Sequence, residues 1–132
     1  MIIMAPSNEE EAWQMLNTGY DYKGPVAIRY PRGSGIGIDF KKSEEKLEIG
    51  KSHTVLDSDK KEVVIFSFGT LLDSAVKAGK KFDAKIVDMR FIKPLDHKII
   101  EEVSKDYKLV VTIEDNVIAG GAGSAGMNIY WG

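Results

Sequence analysis

The second half of the chain alternates short apolar blocks with segments of helical character, and this alternation limits the folds available to it. Residues 63–68, 85–89 and 109–113 have the length and residue types of buried strands. Residues 71–82, and a second segment opened by Pro94 and Asp96, carry apolar side chains at helical spacing. Because strand–helix–strand units return to parallel neighbours, the order predicts a largely parallel sheet with helices on its faces.

A further strand precedes this alternation. Residues 54–56 and 63–68 flank the polar segment 57–61, which is typical of a β-hairpin. We therefore expect the strand at 54–56 to pair antiparallel with 63–68 and to form one edge of the sheet. The predicted fold class is α/β, with a mixed, mostly parallel sheet flanked by helices.

The first third of the chain predicts a strand–helix–strand unit. Residues 1–5 and 26–28 are apolar blocks of strand length, and a helical pattern lies between them. Two strands and one helix cannot cover both faces of a parallel sheet. This unit is therefore incomplete by itself.

The helix of this unit has a start signal and an apolar stripe. Ser7 and Glu10 have the spacing of a capping box, which makes Ser7 the expected N-cap. Ala12, Leu16 and Tyr20 recur at helical spacing, with Met15 and Gly19 beside them, so we expect these residues to face inward.

Residues 34–52 read as a linker. Glycines alternate with other residues at its start, and the charge-rich run 41–48 follows. Such a composition is typical of a solvated connection between domains.

The segment 25–33 carries the best candidate for an anion site. Pro31 cannot donate to a strand ladder, so the strand ends there, and Gly33 opens a flexible stretch. Arg32 is thus placed at the carboxyl end of a strand, where open α/β sheets bind ligands. A guanidinium there suits a phosphate because it can make bidentate, charge-assisted hydrogen bonds. Arg29 is a candidate second contributor.

Composition argues against several function classes. The 132-residue chain has a formal net charge of −2, which gives no electrostatic reason to propose nucleic acid or an anionic membrane as a partner. It has no cysteine, which excludes disulfides and thiolate chemistry and fits a cytoplasmic location. His53 and His97 lie far apart in sequence and are expected at the surface, so no metal site is predicted. No apolar run approaches the length of a membrane span.

A glycine motif near the end of the chain invites a nucleotide interpretation. Gly121, Gly123 and Gly126 match the spacing of a dinucleotide-binding loop. No long helix is expected after them, however, and no ribose-binding acid lies about 20 residues further on. Close backbone packing or a subunit contact is the favoured interpretation.

Two charged pairs lie at predicted strand ends. Asp88 and Arg90 should point to opposite faces if their strand continues, and an ion pair or a domain contact is favoured over catalysis. Glu114 and Asp115 form an acidic strand end for which a metal or acid–base role is conceivable. No nucleophile–base pair can be assembled, so no catalytic residue is predicted.

Taken in order, the motifs resemble the 1-deoxy-D-xylulose-5-phosphate synthase family. The shared segments are Ile-Met-Ala-Pro-Ser at 3–7, Ile-Arg-Tyr-Pro-Arg-Gly at 28–33, Val-Asp-Met-Arg-Phe-Ile-Lys-Pro-Leu-Asp at 87–96, Glu-Asp-Asn at 114–116 and Gly-Gly-Ala-Gly-Ser at 120–124. The later segments are similar across transketolases and the β subunits of 2-oxoacid dehydrogenases. The Tyr-Pro-Arg-Gly segment with its upstream Ala-Pro-Ser selects the synthase. The resemblance covers the chain to about Ala125, and residues 126–132 depart from it.

The resemblance implies an enzyme that uses thiamine diphosphate and Mg²⁺ to condense pyruvate with D-glyceraldehyde 3-phosphate, with loss of carbon dioxide. This reaction feeds isoprenoid, thiamine and pyridoxal phosphate synthesis. Residues 1–33 would be the end of the pyrimidine-binding domain, 34–52 a linker, and 53–132 a transketolase-like C-terminal domain. Arg32 is implied to hold the phosphate of the substrate.

The resemblance also implies what this chain lacks. It has neither the Gly-Asp-Gly motif for metal and diphosphate nor the segment carrying the glutamate that activates the cofactor. We therefore expect a C-terminal fragment that binds no cofactor and is inactive alone. A homodimer is expected, because the incomplete first unit must cover its apolar strands. Two other interpretations stay open: a fragment of another transketolase-like thiamine-diphosphate enzyme, and a stand-alone binding or assembly module.

Overall fold

The computed structural model describes residues 1–131, which form two small sheets flanked by helices. In the first sheet, β1 (Ile2–Met4) and β2 (Val26–Ile28) are parallel and joined by α1 (Glu9–Asp21), as the sequence predicts. A strand from the second half, β6 (Phe91–Lys93), pairs antiparallel with β1, so the order is β2-β1-β6. The two halves of the chain therefore share one sheet. β2 is its edge and is only half-buried.

The second sheet has the order β3-β5-β4-β7, from β3 (His53–Leu56), β4 (Val63–Phe68), β5 (Lys85–Asp88) and β7 (Leu109–Glu114). β4 runs parallel to β5 and β7, while β3 is antiparallel to β5. This confirms the mixed, mostly parallel sheet with one antiparallel edge. The hairpin prediction is wrong, because β3 pairs with β5 instead of β4.

The burial of the strands explains that correction. β4 is buried on both faces from Val64 to Phe68, which suits a central strand with a neighbour on each side. β3 alternates between exposed and half-buried residues, which suits an edge. The polar segment after β3 therefore carries the chain past β5 to the centre of the sheet.

Helices cover both faces of the second sheet. On one face, α3 (His97–Asp106) and α4 (Ala122–Trp131) pack against the core residues Val64, Phe66 and Val87. On the other face, α2 (Leu72–Phe82) follows one 3₁₀ turn and packs against Ile65 and Ile86. Asp96 caps α3, as its position predicts, with Oδ1 accepting from the Ile99 amide. In residues 1–131, no helix combines the length and apolar character needed to cross a membrane.

The start of α1 differs from the prediction by one residue. Asn8 is the N-cap, and its Oδ1 accepts from the Glu11 amide at 2.9 Å. Both Ser7 donors, the amide and the hydroxyl, bind Glu11 Oε2 instead. The predicted capping pair of Ser7 and Glu10 is therefore wrong. Glu11 occupies the position that reaches back over the helix start.

The predicted inward stripe of α1 is correct for Met15 and wrong for Leu16 and Tyr20. Leu16 is 56% and Tyr20 91% exposed, whereas Met15 is fully buried and Thr18 nearly so. Adjacent helical positions lie about 100° apart around the axis, so an error of one position selects a different face. α1 buries the face that carries Glu11, Met15 and Thr18.

Residues 34–52, the predicted linker, lie along α1. Their side chains are mostly exposed, and hydrogen bonds at residues 43 and 47 join their backbone to the helix. Trp13 Nε1 and Asn17 Nδ2 each donate to the Ser43 carbonyl at 2.8 Å, and the Leu47 amide donates to Thr18 Oγ1 at 2.8 Å.

Candidate functional site

Arg32 lies just beyond the end of β2. The Arg29 amide donates to the Met4 carbonyl at 2.8 Å, and Pro31, which has no N–H, follows two residues later. Arg32 is exposed, and its guanidinium makes no hydrogen bond or ion pair with any described residue. Its donors are therefore available to an external anion.

Arg32 lines a cleft of about 390 Å³, which we call the Arg32 cleft. Its walls are the approach to α1, the end of β2, the glycine-rich start of the linker and one residue before α2: Pro6, Ser7, Asn8, Glu9, Ala12, Tyr30, Pro31, Arg32, Gly33, Ser34, Gly35, Ile36 and Thr70. Arg32 and Glu9 are the charged residues among them. Its size is within the range of small-molecule sites. The arrangement suits a small ligand with one anionic group.

Glu9 does not pair with Arg32. Its Oε1 accepts from the Gly37 amide at 2.7 Å, while Oε2 is buried without a donor among the described residues. The carboxylate thus faces the glycine-rich segment, and Arg32 keeps its donors free.

Arg29 faces a neighbouring, smaller cleft of about 160 Å³. The two clefts have four residues in common: Pro6, Tyr30, Pro31 and Thr70. The smaller cleft is also lined by Glu114 and Asp115 from the end of β7. Neither acid forms an ion pair with Arg29 within the described residues. Because two acids line this cleft with Arg29, against one in the Arg32 cleft, it suits a phosphate less well. The structure places Arg29 and Arg32 side by side in separate clefts.

A third cleft, the Arg90 cleft, lies between α1 and the second sheet. It is lined by Ser7, Asn8, Glu10, Glu11, Gln14, His53, Val55, Leu72, Asp88 and Arg90. Arg90 Nε donates to Glu11 Oε1 at 2.6 Å, so an ion pair joins the two halves of the chain. This confirms the favoured interpretation of Arg90 as a structural contact.

Asp88 and Arg90 do not point to opposite faces, as the sequence predicted. Arg90 has a φ of 57°, so the strand breaks there and the chain turns from β5 into β6. The Arg90 amide donates to Asp88 Oδ1 at 3.2 Å, and both side chains line the same cleft. The left-handed residue overturns the strand periodicity on which the prediction rested.

Asp88 is a buried acid with an unusual proton affinity. It is 1% exposed. Burial, together with the nearby negative charge of Glu11, raises the pKa of Asp88 to about 8. Ser7 and Arg90 lower the pKa of Asp88, but by less than burial raises it. Burial therefore favours the protonated form of Asp88 in the folded protein.

The glycine motif near the C-terminus forms the start of a helix, and the side-chain carboxylate of Glu114 binds the amides there. Contrary to the prediction, a ten-residue helix, α4, follows it. The Ala122 and Gly123 amides donate to the two oxygens of Glu114 at 3.0 and 2.8 Å. A Cβ on Gly121 would lie 2.3 Å from Glu114 Oε1, and one on Gly123 would lie 2.6 Å from Thr112 Oγ1.

Two interpretations follow from this contact. The expected close packing is confirmed, since the glycines admit the side chains of β7 against the helix start. The amides that a nucleotide phosphate would use at such a loop already bind Glu114. Glu114 serves as a helix cap, which is a different role from the metal or acid–base chemistry considered for it.

The histidines lie where the sequence places them. His53 and His97 are both exposed. Within residues 1–131, no group of three or more histidine, aspartate or glutamate side chains is arranged to hold a metal ion. The described residues therefore do not fit a magnesium–diphosphate site.

Sequence reasoning missed the separate roles of the acidic run at the start of α1. A run of acids at a helix start predicts only that Glu9, Glu10 and Glu11 favour the N-terminus of the helix. In the structure Glu9 binds the glycine-rich segment, Glu11 binds Ser7 and Arg90, and Glu10 is exposed. The correct N-cap would have revealed these roles. With Asn8 instead of Ser7 as the N-cap, Glu11 instead of Glu10 is the glutamate that turns inward.

Comparison with known proteins adds a family context. A family model described as "Transketolase, C-terminal domain" matches residues 52–129. The 1-deoxy-D-xylulose-5-phosphate synthase of Idiomarina loihiensis is 49% identical over 125 residues, which cover 95% of this chain and 20% of the relative. That of Vibrio parahaemolyticus is 50% identical over 124 residues, which cover 94% and 20%. The chain spans one fifth of the length of these relatives.

A solved structure is similar across nearly the whole chain. It is described as a split-gene transketolase, an inactive β4 tetramer, and it superposes with a TM-score of 0.86 at 28% identity. The match covers 98% of this chain and 44% of that one.

Proposed function

The chain belongs to the transketolase C-terminal domain family, and we propose that it is part of a 1-deoxy-D-xylulose-5-phosphate synthase. In this proposal Arg32 binds the phosphate of the substrate. The observation that carries the proposal is the partner-free guanidinium in the Arg32 cleft. Identity of 47–50% to synthases across 94–95% of the chain supports this enzyme over other transketolase-like ones.

The parent reaction is part of the proposal. The whole enzyme would condense pyruvate with D-glyceraldehyde 3-phosphate, releasing carbon dioxide, with thiamine diphosphate and Mg²⁺ held by residues outside this chain. Bound thiamine diphosphate supplies the carbanion chemistry of such a reaction. The role of this chain is to bind and orient the phosphate, so we expect it to be inactive alone.

The Arg32 cleft has the parts for that role. Arg32 would bind phosphate oxygens through charge-assisted hydrogen bonds, each contributing about 1.5–3 kcal/mol. Tyr30 and Ile36 provide apolar surface beside it for the carbon chain of a triose. Holding the phosphate fixes the position of the aldehyde at the other end of the substrate.

A titration of two matched variants tests the phosphate site. Glycerol 3-phosphate, which carries the same phosphomonoester without the reactive aldehyde, is added to ¹⁵N-labelled chain while the backbone amide signals of Gly33 and Gly35, which line the cleft in every variant, are followed. Arg32→Ala should weaken binding by about 10- to 100-fold, the equivalent of one charged contact. Arg29→Ala, in the neighbouring cleft, is the control and should retain most of the affinity. Equal effects of the two substitutions would remove Arg32 from this role.

Cofactor binding is tested separately. Isothermal titration of the isolated chain with thiamine diphosphate and Mg²⁺ should show no tight binding. Tight binding would contradict the assignment of the cofactor site to other parts of the enzyme.

The proposal extends to domains, assembly and location. We propose that residues 1–33 complete a pyrimidine-binding domain, that 34–52 link it to the C-terminal domain at 53–132, and that the protein is a cytoplasmic homodimer. The half-buried edge strand β2 and the exposed Leu16 and Tyr20 support a covered surface there. Light scattering over a range of concentrations tests assembly, and a monomer at every concentration would contradict it.

A further inference from the structure

The segment that carries Arg32 is held at only two points by hydrogen bonds. At one end the Arg29 amide binds the Met4 carbonyl, and at the other the Gly37 amide binds Glu9 Oε1. Within the described residues, no hydrogen bond joins residues 30–36 to any other part of the chain. Arg32 lies near the middle of this span.

Glu9 is also in direct contact with the glycine backbone. A Cβ on Gly35 would lie 2.0 Å from Glu9 Oε1 and 2.3 Å from its carboxyl carbon. Only a residue without a side chain lets the segment lie this close to the carboxylate. Gly37, which has a φ of +76°, then turns its amide onto the same oxygen.

Loss of the Glu9 contact would nearly double the length of the segment around Arg32 that makes no hydrogen bond to the rest of the described chain. The next hydrogen bonds along the chain are those that Trp13 and Asn17 donate to the Ser43 carbonyl. Without Glu9 the segment free of hydrogen bonds would run from residue 30 to residue 42. A longer, glycine-rich span has more conformations to lose when Arg32 is ordered against an anion.

We propose that Glu9 is a positioning residue for the phosphate site: its carboxylate holds Gly35 and Gly37 on the start of α1 and so pre-orders Arg32. This inference rests on the proposed function of Arg32. Glu9 makes no contact with the substrate in this scheme. It acts through the backbone of the glycine segment, residues 33–37.

Electrostatics alone predicts the opposite result, which makes the inference testable. Glu9 is negative and lines the same cleft as Arg32, so through charge alone it repels a phosphate. Removing the charge should then strengthen binding whatever replaces it. If Glu9 positions the segment, removing the carboxylate should weaken binding, and an isosteric acceptor should restore it.

Four chains are compared by the glycerol 3-phosphate titration: wild type, Glu9→Ala, Glu9→Gln and Glu10→Ala. Glu9→Ala should weaken binding by roughly three- to tenfold, because more of the chain must be ordered. Glu9→Gln keeps an oxygen that can accept from Gly37, so it should bind at least as well as wild type. Glu10 is exposed and lies in the same helical turn as Glu9. Glu10→Ala therefore removes the same charge without removing the contact to Gly37, and it should change the affinity little.

Hydrogen exchange of the Gly37 amide and the heteronuclear NOE of residues 33–37 provide a second readout, without ligand. Both should show a more mobile segment in Glu9→Ala and a wild-type segment in Glu9→Gln. Unchanged binding in Glu9→Ala, or stronger binding in both Glu9 variants, overturns the inference while leaving Arg32 in its proposed role. Absence of phosphate binding by wild type overturns the role of Arg32 and with it the purpose assigned to Glu9. The exchange data would still decide whether Glu9 holds the segment.

Discussion

Replacing Asp88 with asparagine should remove a pH dependence of stability that the wild-type domain carries. Asp88 is fully buried, and burial next to Glu11 raises its pKa to about 8 from the ordinary value of 3.8. Between these two pKa values the folded protein retains the proton on Asp88, whereas the unfolded chain releases it. Asparagine has nearly the same shape, carries no charge and does not titrate.

The sign follows from proton binding. A group whose folded-state pKa is raised stabilises the fold at low pH and loses that contribution as pH rises toward the folded-state pKa. Between about pH 4.5 and 7.5 the free energy of unfolding should fall by up to about 1.4 kcal/mol per pH unit. From pH 5 to pH 7 the contribution of Asp88 alone should lower the free energy of unfolding by about 2–3 kcal/mol.

The assay is urea unfolding of wild type and Asp88→Asn at pH 5, 6, 7 and 7.5, followed by circular dichroism. The stability of the variant relative to wild type should rise by about 2–3 kcal/mol between pH 5 and pH 7.

Asp96→Asn is the matched control, because its pH dependence has the opposite sign. Burial alone would raise the pKa of Asp96, but hydrogen bonds from Ser52 and from the Ile99 amide lower it. Asp96 therefore stabilises the fold above its ordinary pKa, and that contribution disappears only in acid. A constant difference between Asp88→Asn and wild type from pH 5 to pH 7 would refute the reasoning, since it would mean that Asp88 is ionised in the folded state.

Three further substitutions test individual contacts by thermal or urea unfolding. Glu114→Ala leaves the first two amides of α4 without their acceptor and should cost about 1–3 kcal/mol, whereas unchanged stability would mean that Glu114 is not the cap. Gly79→Ala brings a Cβ to 2.6 Å from Ile86 Cδ1, so despite the better helix propensity of alanine it should destabilise by about 1–3 kcal/mol; a more stable variant would show that the sheet yields easily. Tyr107→Phe removes the hydroxyl bond to the Ser58 carbonyl and should cost no more than about 1.5 kcal/mol, and a larger loss would indicate a change in packing.

Much of the fold is readable from local pattern. The strands at 26–28, 63–68 and 109–113 and the helix after Asp96 lie close to their predicted positions. Apolar blocks and capping residues act over a few neighbours, so a single sequence carries them. The position of Arg32 is predictable in the same way, because its neighbour Pro31 ends the strand and leaves the arginine at the carboxyl end.

The errors in strand pairing and in the last helix lie where distant residues compete. β3 was assigned to β4 because they are neighbours in sequence, but β4 is occupied on both edges by β5 and β7. A helix over residues 122–131 was not expected, and its start is held by Glu114, eight residues before it. No local pattern records either partner.

Most strand and helix types, the mixed sheet and the position of Arg32 after a strand could be predicted from sequence, because they depend on side-chain chemistry over a few residues. The contacts between distant residues required the folded chain: Glu11 binds Arg90, Glu9 binds the Gly37 amide, and burial raises the pKa of Asp88. A shift of one residue at a helix cap turns its side chains by about 100°, and one left-handed residue redirects a strand. Such small local choices are made by the packing of the whole chain, because only there do their long-range contacts exist.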